Sequence, residues 1–101
     1  MTHLTQKNFQ DFVKSNNKAI IDFWAPWCGP CRAFAPVFED VASKKGDVCA
    51  FAKVNVDEAE ELALGFGVTT IPTILLFEKG VLVDRVSGFM TAENLIDFIG
   101  E

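Results

Sequence analysis

The fold is decided by the stretch AIIDFWAPWCGPC, which spans residues 19–31. Its first six residues, 19–24, are apolar on both alternating faces apart from Asp22, and this pattern is typical of a central strand that helices cover on both sides. In residues 30–45 large apolar side chains recur three and four positions apart, which predicts a helix. Pro36 lies inside this helix and removes one backbone hydrogen bond, so we expect a kink.

The segments on either side predict further strands and helices in alternation. Before the central strand, a short extended start at His3 and Leu4 precedes a helix that Thr5 caps and that ends by Ser15. After the long helix, we predict a strand from Val48 to Val56 and then a short helix that Asp57 caps and that stops by Gly65 or Gly67. A hairpin of residues 73–78 and 81–87 follows, with its turn at Lys79-Gly80, and a closing helix starts at Thr91.

This order of elements predicts an α/β fold. Strands that alternate with helices pair in parallel through right-handed crossovers, whereas a terminal hairpin adds an antiparallel portion. We therefore expect a mixed five-stranded sheet flanked by four helices. The length of 101 residues, without internal repeats, indicates one domain over residues 1–101.

Composition and charge restrict the possible partners. Half of the residues are apolar and ten are Phe, which is enough to fill a core at this length. The net charge is -5 and no basic stripe could neutralise phosphates, so we expect no binding to nucleic acid or to an anionic membrane. Residues 1–6 lack the pattern of a secretory leader, and no apolar run approaches the ~20 residues that span a bilayer. We expect a soluble, cytoplasmic monomer.

The three cysteines indicate redox chemistry rather than a scaffold. Cys28 and Cys31 are separated by two residues, and Cys49 stands alone in an apolar stretch. An odd number of cysteines with this spacing does not suit a disulfide-stabilised secreted fold. A structural disulfide that closes so short a loop would constrain little of the unfolded chain. Tetrahedral zinc needs four ligands, but only Cys49 and His3 remain beyond the pair, so we predict no metal site. His3, in the first extended segment, does not suit the base of a cysteine protease.

The cysteine pair lies where the central strand ends and the long helix begins. Unpaired backbone N–H groups and the helix dipole stabilise an anion there, so we expect the pKa of Cys28 to lie below that of an ordinary thiol. Cys31 follows one helical turn later on the same side, close enough to bond to Cys28 and more buried. Gly29 lets a substrate backbone approach closely, and Pro30 suits the first turn of a helix.

This arrangement predicts thiol–disulfide exchange. The Cys28 thiolate attacks a substrate disulfide and forms a mixed disulfide, and Cys31 then attacks Cys28 and releases the reduced substrate. Because the pair holds only two electrons, repeated turnover requires an external electron donor.

Several blocks of sequence resemble the thioredoxin family over nearly the whole chain. The block WCGPC at residues 27–31 resembles that family's active-site sequence, and the other matching blocks follow in the family's order: DFWA at 22–25, AP at 35–36, AKVNVD at 52–57, IPT at 71–73 and VSG at 86–88. The resemblance implies the thioredoxin fold and a protein-disulfide reductase that acts on disulfide-containing proteins. It further implies a thioredoxin reductase as electron donor and no bound cofactor, since the Cys28–Cys31 disulfide is itself the redox-active group.

The resemblance also implies roles for residues outside the cysteine pair. Asp22 matches a buried carboxylate that accepts the proton of Cys31, and its apolar neighbours on the strand independently predict burial and a raised pKa. Lys53 matches a lysine that faces this carboxylate and tunes its proton affinity, although so long a side chain could instead reach water. Pro72 matches a cis proline beside the disulfide. The implied docking surface around Cys28 consists of Trp27, Gly29, Pro30, Ile71, Pro72 and Gly88. Phe89 follows Gly88 where many members of that family have a small residue, so we expect this surface to be larger and more apolar here, with an effect on substrate preference.

Two other functions stay open at the level of the sequence. A protein of the same fold could oxidise or isomerise disulfides in an oxidising compartment, although the dipeptide Gly29-Pro30 resembles the reducing branch of the family. A binding module could use the apolar surface around Trp27 and Pro72 without redox turnover. Replacing both cysteines by Ser distinguishes these functions, because a binding module would keep its biological activity.

Overall fold

The computed structural model describes residues 1–100 and places five strands and four helices along this part of the chain. In chain order they are β1 (Thr2–Leu4), α1 (Phe9–Ser15), β2 (Lys18–Trp24), α2 (Gly29–Lys45), β3 (Ala50–Asn55), α3 (Glu60–Gly65), β4 (Thr73–Glu78), β5 (Val81–Ser87) and α4 (Ala92–Ile99). The predicted alternation of strands and helices is confirmed.

The five strands form one mixed sheet in the order β1-β3-β2-β4-β5. The strands β1, β3 and β2 run parallel, whereas β4 pairs antiparallel with both β2 and β5. The middle of the sheet is therefore β2, and its carboxyl end at Trp24 leads into the loop that carries the cysteine pair. The predicted five-stranded mixed sheet with four helices is confirmed.

Each face of the sheet has its own apolar core. Successive side chains of a strand point to opposite faces. In β2, Ile21 and Phe23 belong to the core beneath α1 and α3, whereas Ile20 belongs to the core beneath α2 and α4. Asp22 alternates with Ile21 and so faces the α2 side, as does its cross-strand partner Ile74. The central strand thereby places a carboxyl group under the helix that begins at the cysteines.

Two of the predicted helix starts are wrong. The N-cap position of α1 is Asn8 rather than Thr5, and the helix begins at Phe9. Thr5 instead begins the turn that precedes the helix, where its N–H donates to Asn8 Oδ1 at 2.7 Å and its hydroxyl accepts the N–H of Lys7 at 3.3 Å. Asp57 does not cap α3, which follows Ala59 and has no side-chain cap. The carboxylate of Asp57 is engaged elsewhere, by the indole of Trp27.

The strand predicted from Val48 to Val56 is shorter in the structure, where β3 spans Ala50–Asn55. The Val48 N–H donates to the Lys45 carbonyl at 3.0 Å, so this residue still belongs to the turn that ends α2, and its side chain is exposed. The predicted start of the closing helix at Thr91 is confirmed, since Thr91 is the N-cap residue of α4 and its hydroxyl accepts the N–H of Asn94 at 3.2 Å.

Candidate active site

Cys28 and Cys31 form a disulfide at the first turn of α2, with their Cα atoms 5.2 Å apart. Cys28 is the N-cap residue of the helix, and its N–H donates to the Ala25 carbonyl at 3.2 Å. The Cys28 carbonyl in turn accepts the N–H of Arg32 at 3.0 Å, which is the first bond of the helix. The predicted position of the pair, at a strand end and a helix N-terminus, is confirmed.

The two sulfurs differ in their surroundings. Cys28 Sγ accepts the backbone N–H of Cys31 at 3.2 Å. Cys28 is 6% exposed and Cys31 only 1%, which agrees with the predicted deeper position of Cys31. Gly29 and Pro30 are exposed beside the pair. A substrate disulfide can therefore approach Cys28 over an uncrowded turn, while Cys31 lies beneath it.

Asp22 is completely buried, as its apolar neighbours predicted. Among residues 1–100 neither of its carboxyl oxygens has a hydrogen-bond partner. Removal from water disfavours the charged form, so burial raises the pKa of Asp22 from 3.8 to about 7, against the opposing effect of the Lys53 charge. A carboxyl group in this state exchanges a proton near neutral pH. Its role as the proton acceptor stays a prediction.

Lys53 lies directly opposite Asp22 on the neighbouring parallel strand β3. Its side chain does not reach out to water, since the residue is only 5% exposed. The Lys53 ammonium instead lies 4.5 Å from the centre of the Trp24 ring, in a cation–π contact. The indole Nε1 of Trp24 is buried without a hydrogen-bond partner among residues 1–100. The site therefore contains a buried carboxyl group without a hydrogen-bond partner and a buried cation that packs against an aromatic ring.

A second loop brings the predicted docking residues to the disulfide. The Ile71–Pro72 peptide bond is cis, as the resemblance implied. The carbonyl oxygen of Ile71 lies 3.7 Å from Cys28 Sγ. The Pro72 carbonyl accepts the N–H of Gly88 at 2.8 Å, which ties the end of β5 to this loop. Gly88 has a φ of 98°, a conformation that favours glycine.

Trp27 stands on the other side of the disulfide and is 65% exposed. Its indole Nε1 donates to Asp57 Oδ2 at 2.9 Å. The N–H of Asp57 is in turn bound by Asn55 Oδ1 at 2.9 Å. This role of Asp57 was not predicted from the sequence, although a signal existed. The carboxyl ends of parallel neighbours lie at the same sheet edge, and Asp57 follows β3 as Trp27 follows β2.

Cys49 is buried just before β3, and the prediction that it is a core side chain is confirmed. Within residues 1–100 no group of three or more His, Cys, Asp or Glu side chains is arranged to hold a metal ion. In the same residues no helix is long and apolar enough to span a membrane.

The chain was compared with known sequences and structures. The model of the Thioredoxin family matches residues 1–101. The thioredoxin of Mycoplasma pneumoniae is 46% identical over 95 residues, which cover 94% of this chain and 92% of that protein. The thioredoxin of Alicyclobacillus acidocaldarius is 44% identical over 92 residues, or 91% of this chain and 88% of that protein.

Solved structures give the same result for the fold. The thioredoxin of Plasmodium falciparum superimposes with a TM-score of 0.91 at 32% identity, covering 98% of this chain and 96% of that one. A mutant thioredoxin from Halobacterium salinarum gives a TM-score of 0.90 at 36% identity, covering 97% of this chain and 86% of that one.

Proposed function

The chain belongs to the thioredoxin family, and we propose from this premise that Cys28 attacks the substrate and that Asp22 takes the proton of Cys31. It is a thiol–disulfide oxidoreductase that reduces protein disulfides, and its redox-active group is the Cys28–Cys31 pair rather than a bound cofactor. The observation that carries the proposal is the placement of the pair at the start of α2, on the sheet face where Asp22 is buried without a partner.

In the first step the Cys28 thiolate attacks one sulfur of a substrate disulfide. The substrate S–S bond breaks, a Cys28–substrate disulfide forms, and the second substrate sulfur leaves as a thiolate that takes a proton from water. In the reduced protein the N–H of Cys31, which already lies 3.2 Å from Cys28 Sγ, would stabilise this attacking thiolate together with the helix dipole.

In the second step Cys31 releases the substrate. Its thiol gives a proton to the carboxylate of Asp22, the resulting thiolate attacks Cys28 Sγ, and the bond between Cys28 and the substrate breaks. The substrate sulfur that was bonded to Cys28 leaves as a thiolate and takes a proton from water, and Asp22 returns the proton of Cys31 to water. The substrate has then gained two electrons and two protons, and the Cys28–Cys31 disulfide has formed again. Because the pKa of Asp22 is about 7, a substantial fraction of molecules holds the carboxylate ready at neutral pH.

The docking surface is also part of the proposal. Its predicted members are Trp27, Gly29, Pro30, Ile71, Pro72 and Gly88. The support is their position: Ile71 O lies 3.7 Å from Cys28 Sγ, and Gly88 is bonded to Pro72. The amide of Ile71 has no backbone or side-chain partner within residues 1–100, so it can pair with an extended substrate segment.

The oxidised pair must be reduced again for each turnover. Members of this family act on disulfide substrates and take electrons from a reductase. We propose that here the donor is a thioredoxin reductase and that one domain, residues 1–101, acts as a monomer in the cytoplasm. The support for a monomer is that one chain supplies every residue of the proposed site.

A trapping experiment tests the order of attack. In reduction of insulin disulfides coupled to a thioredoxin reductase and NADPH, Cys28→Ser and Cys31→Ser should both abolish turnover. When each reduced variant is mixed with insulin, Cys31→Ser should accumulate a mixed disulfide, because the releasing thiol is missing, and Cys28→Ser should accumulate none. Equal trapping by the two variants would contradict the assignment of Cys28 as the attacking residue.

A further inference from the structure

Aromatic side chains are exposed at two places among residues 1–100, and both are at the active site. Trp27 is 65% exposed and Phe89 is 51% exposed, whereas the other aromatic residues are buried or half-buried. Exposure of an apolar ring to water is unfavourable, and exposed apolar groups that cluster commonly mark a contact surface. Trp27 already belongs to the proposed docking surface, and Phe89 directly follows Gly88 of that surface.

A short chain of contacts joins Phe89 to the disulfide. Cys28 Sγ lies 3.7 Å from the carbonyl of Ile71. Ile71 is followed by Pro72, whose carbonyl accepts the N–H of Gly88 at 2.8 Å. Phe89 is the next residue. When a substrate is bonded to Cys28 and paired with Ile71, a substrate side chain close to the reactive cysteine can therefore reach Phe89.

The ring of Phe89 is supported on one side and open on the other. It meets the buried Phe34 edge-to-face, with the ring centres 6.2 Å apart, and Phe34 lies one helical turn after Cys31 in α2. The surface beside it is uncrowded, since a side chain added at Gly88 would meet no atom within 4 Å. The ring is thus held in place while half of its surface remains available to a partner.

The charge around Phe89 indicates the kind of partner. Charged residues make up 23% of the chain. None of them lies in the three segments that surround the disulfide on this side, residues 24–31, 68–77 and 86–92. Asp57 and Arg32 reach the first of these segments from outside, but they bond to the indole of Trp27 and to the Pro26 carbonyl. The surface beside Phe89 therefore favours an apolar side chain over a charged one.

This inference rests on the proposed function and extends it to substrate choice. We propose that Phe89 binds a large apolar side chain, aromatic or long aliphatic, that lies within about two residues of the reactive cysteine in an extended substrate segment. A contact between two rings is favourable beyond the burial of area, so substrates that provide it react faster. The expected preference over a small polar side chain at that place is about 3- to 10-fold in rate.

The test uses pairs of short peptides joined by one disulfide. Two sets differ only in one residue, Phe or Ser, placed two positions before or two positions after the cysteine. The rate of their reduction by the reduced protein is followed through the fluorescence of Trp24 and Trp27. The wild-type protein should reduce the Phe peptide about 3- to 10-fold faster at one of the two placements. Phe89→Ala should abolish this preference, and Phe89→Leu should keep part of it.

Val81→Ala is the matched control, because Val81 is an exposed apolar residue at the far end of β5, and this variant should keep the full preference. A small disulfide without peptide flanks, such as hydroxyethyl disulfide, should react equally with wild type and Phe89→Ala. A preference that survives in Phe89→Ala, or an equal slowing of the Phe and Ser peptides, would overturn the inference. Failure of the wild-type protein to reduce the small disulfide would instead contradict the proposed exchange chemistry.

Discussion

The two faces of the central strand β2 differ in whether their buried side chains have suitable contact partners. On one face Phe23 packs in a cluster of rings, 6.3 Å from the centres of both Phe9 and Phe66. On the other face Asp22 is equally buried but has no hydrogen bond among residues 1–100. An unpartnered buried carboxyl group destabilises a fold. The apolar face therefore stabilises the protein, whereas the Asp22 face retains a group suited to proton transfer.

The largest expected effect comes from breaking the apolar face. Phe23→Ala removes a fully buried ring and leaves a cavity, which should lower the free energy of unfolding by about 3–5 kcal/mol. Denaturation with urea measures this change. Leu64→Ala, at a residue 75% exposed, is the control and should change stability by less than about 0.5 kcal/mol. If the folded fraction of Phe23→Ala lost its insulin-reducing activity, the separation of the two faces would be wrong.

The second prediction concerns how much the buried carboxylate of Asp22 lowers the free energy of unfolding. The pKa of Asp22 is 3.8 when unperturbed and about 7 in the fold, so the folded state binds more protons than the unfolded state between these values. Stability should therefore fall as the pH rises from about 4 to about 7, by up to about 4 kcal/mol, and then level off.

Asp22→Asn has the same shape but cannot ionise, and it should remove this pH dependence. Urea denaturation of the oxidised proteins at several pH values measures it. The variant and the wild type should have similar stability near pH 4, and the variant should be the more stable above pH 7. Parallel stability curves over this range would show that Asp22 does not ionise with the raised pKa that its burial causes.

The third prediction concerns the rate of the releasing step. Asp22→Asn should slow the release of substrate from the mixed disulfide by about 10- to 100-fold near pH 7, because the proton of Cys31 loses its acceptor. Stopped-flow fluorescence measures this step. The difference should shrink at high pH, where the Cys31 thiol ionises by loss of its proton to hydroxide. A constant ratio of the two rates at every pH would mean that Asp22 does not act as the base.

The smallest expected effect comes from Lys53. The positive charge of Lys53 lowers the pKa of Asp22, so Lys53→Met should raise that pKa above about 7. The pH profile of the releasing step should move to higher pH, with little change in the maximal rate. Lys44→Met is the control, since Lys44 pairs with Asp40 on the exposed side of α2 and should leave the profile in place. A profile unchanged in Lys53→Met would contradict the tuning role.

Local patterns predicted the parts of the structure that local forces decide. The turn between β4 and β5 is an example, because Lys79 and Gly80 both have positive φ and a two-residue hairpin requires this. The start of α2 at the cysteine pair is another, since a strand pattern changes there to a helical one over a few residues. The burial of Asp22 was predictable for the same reason, as its flanking residues are apolar on both strand faces.

The features that were missed depend on residues far apart in the chain. Asp57 resembles a helix cap by its position, but its carboxylate binds Trp27, thirty residues earlier. Phe89 is expected from the sequence to enlarge the apolar docking surface, but only the Gly88–Pro72 bond and the contact with Phe34 show how its ring is placed. Val48 is a local exception: it has the residue type of a strand, but the N–H that it donates to the Lys45 carbonyl, three residues earlier, keeps it in a turn.

Sequence patterns alone were enough to predict the order of strands and helices, the position of the cysteine pair at a helix N-terminus and the burial of Asp22. These properties follow from hydrophobic periodicity and from residues that are close in the chain. Tertiary structure alone decided that Lys53 packs against the Trp24 ring and that Ile71 lies against Cys28. Each of these contacts joins different strands or loops, so it exists only once the sheet has brought them together.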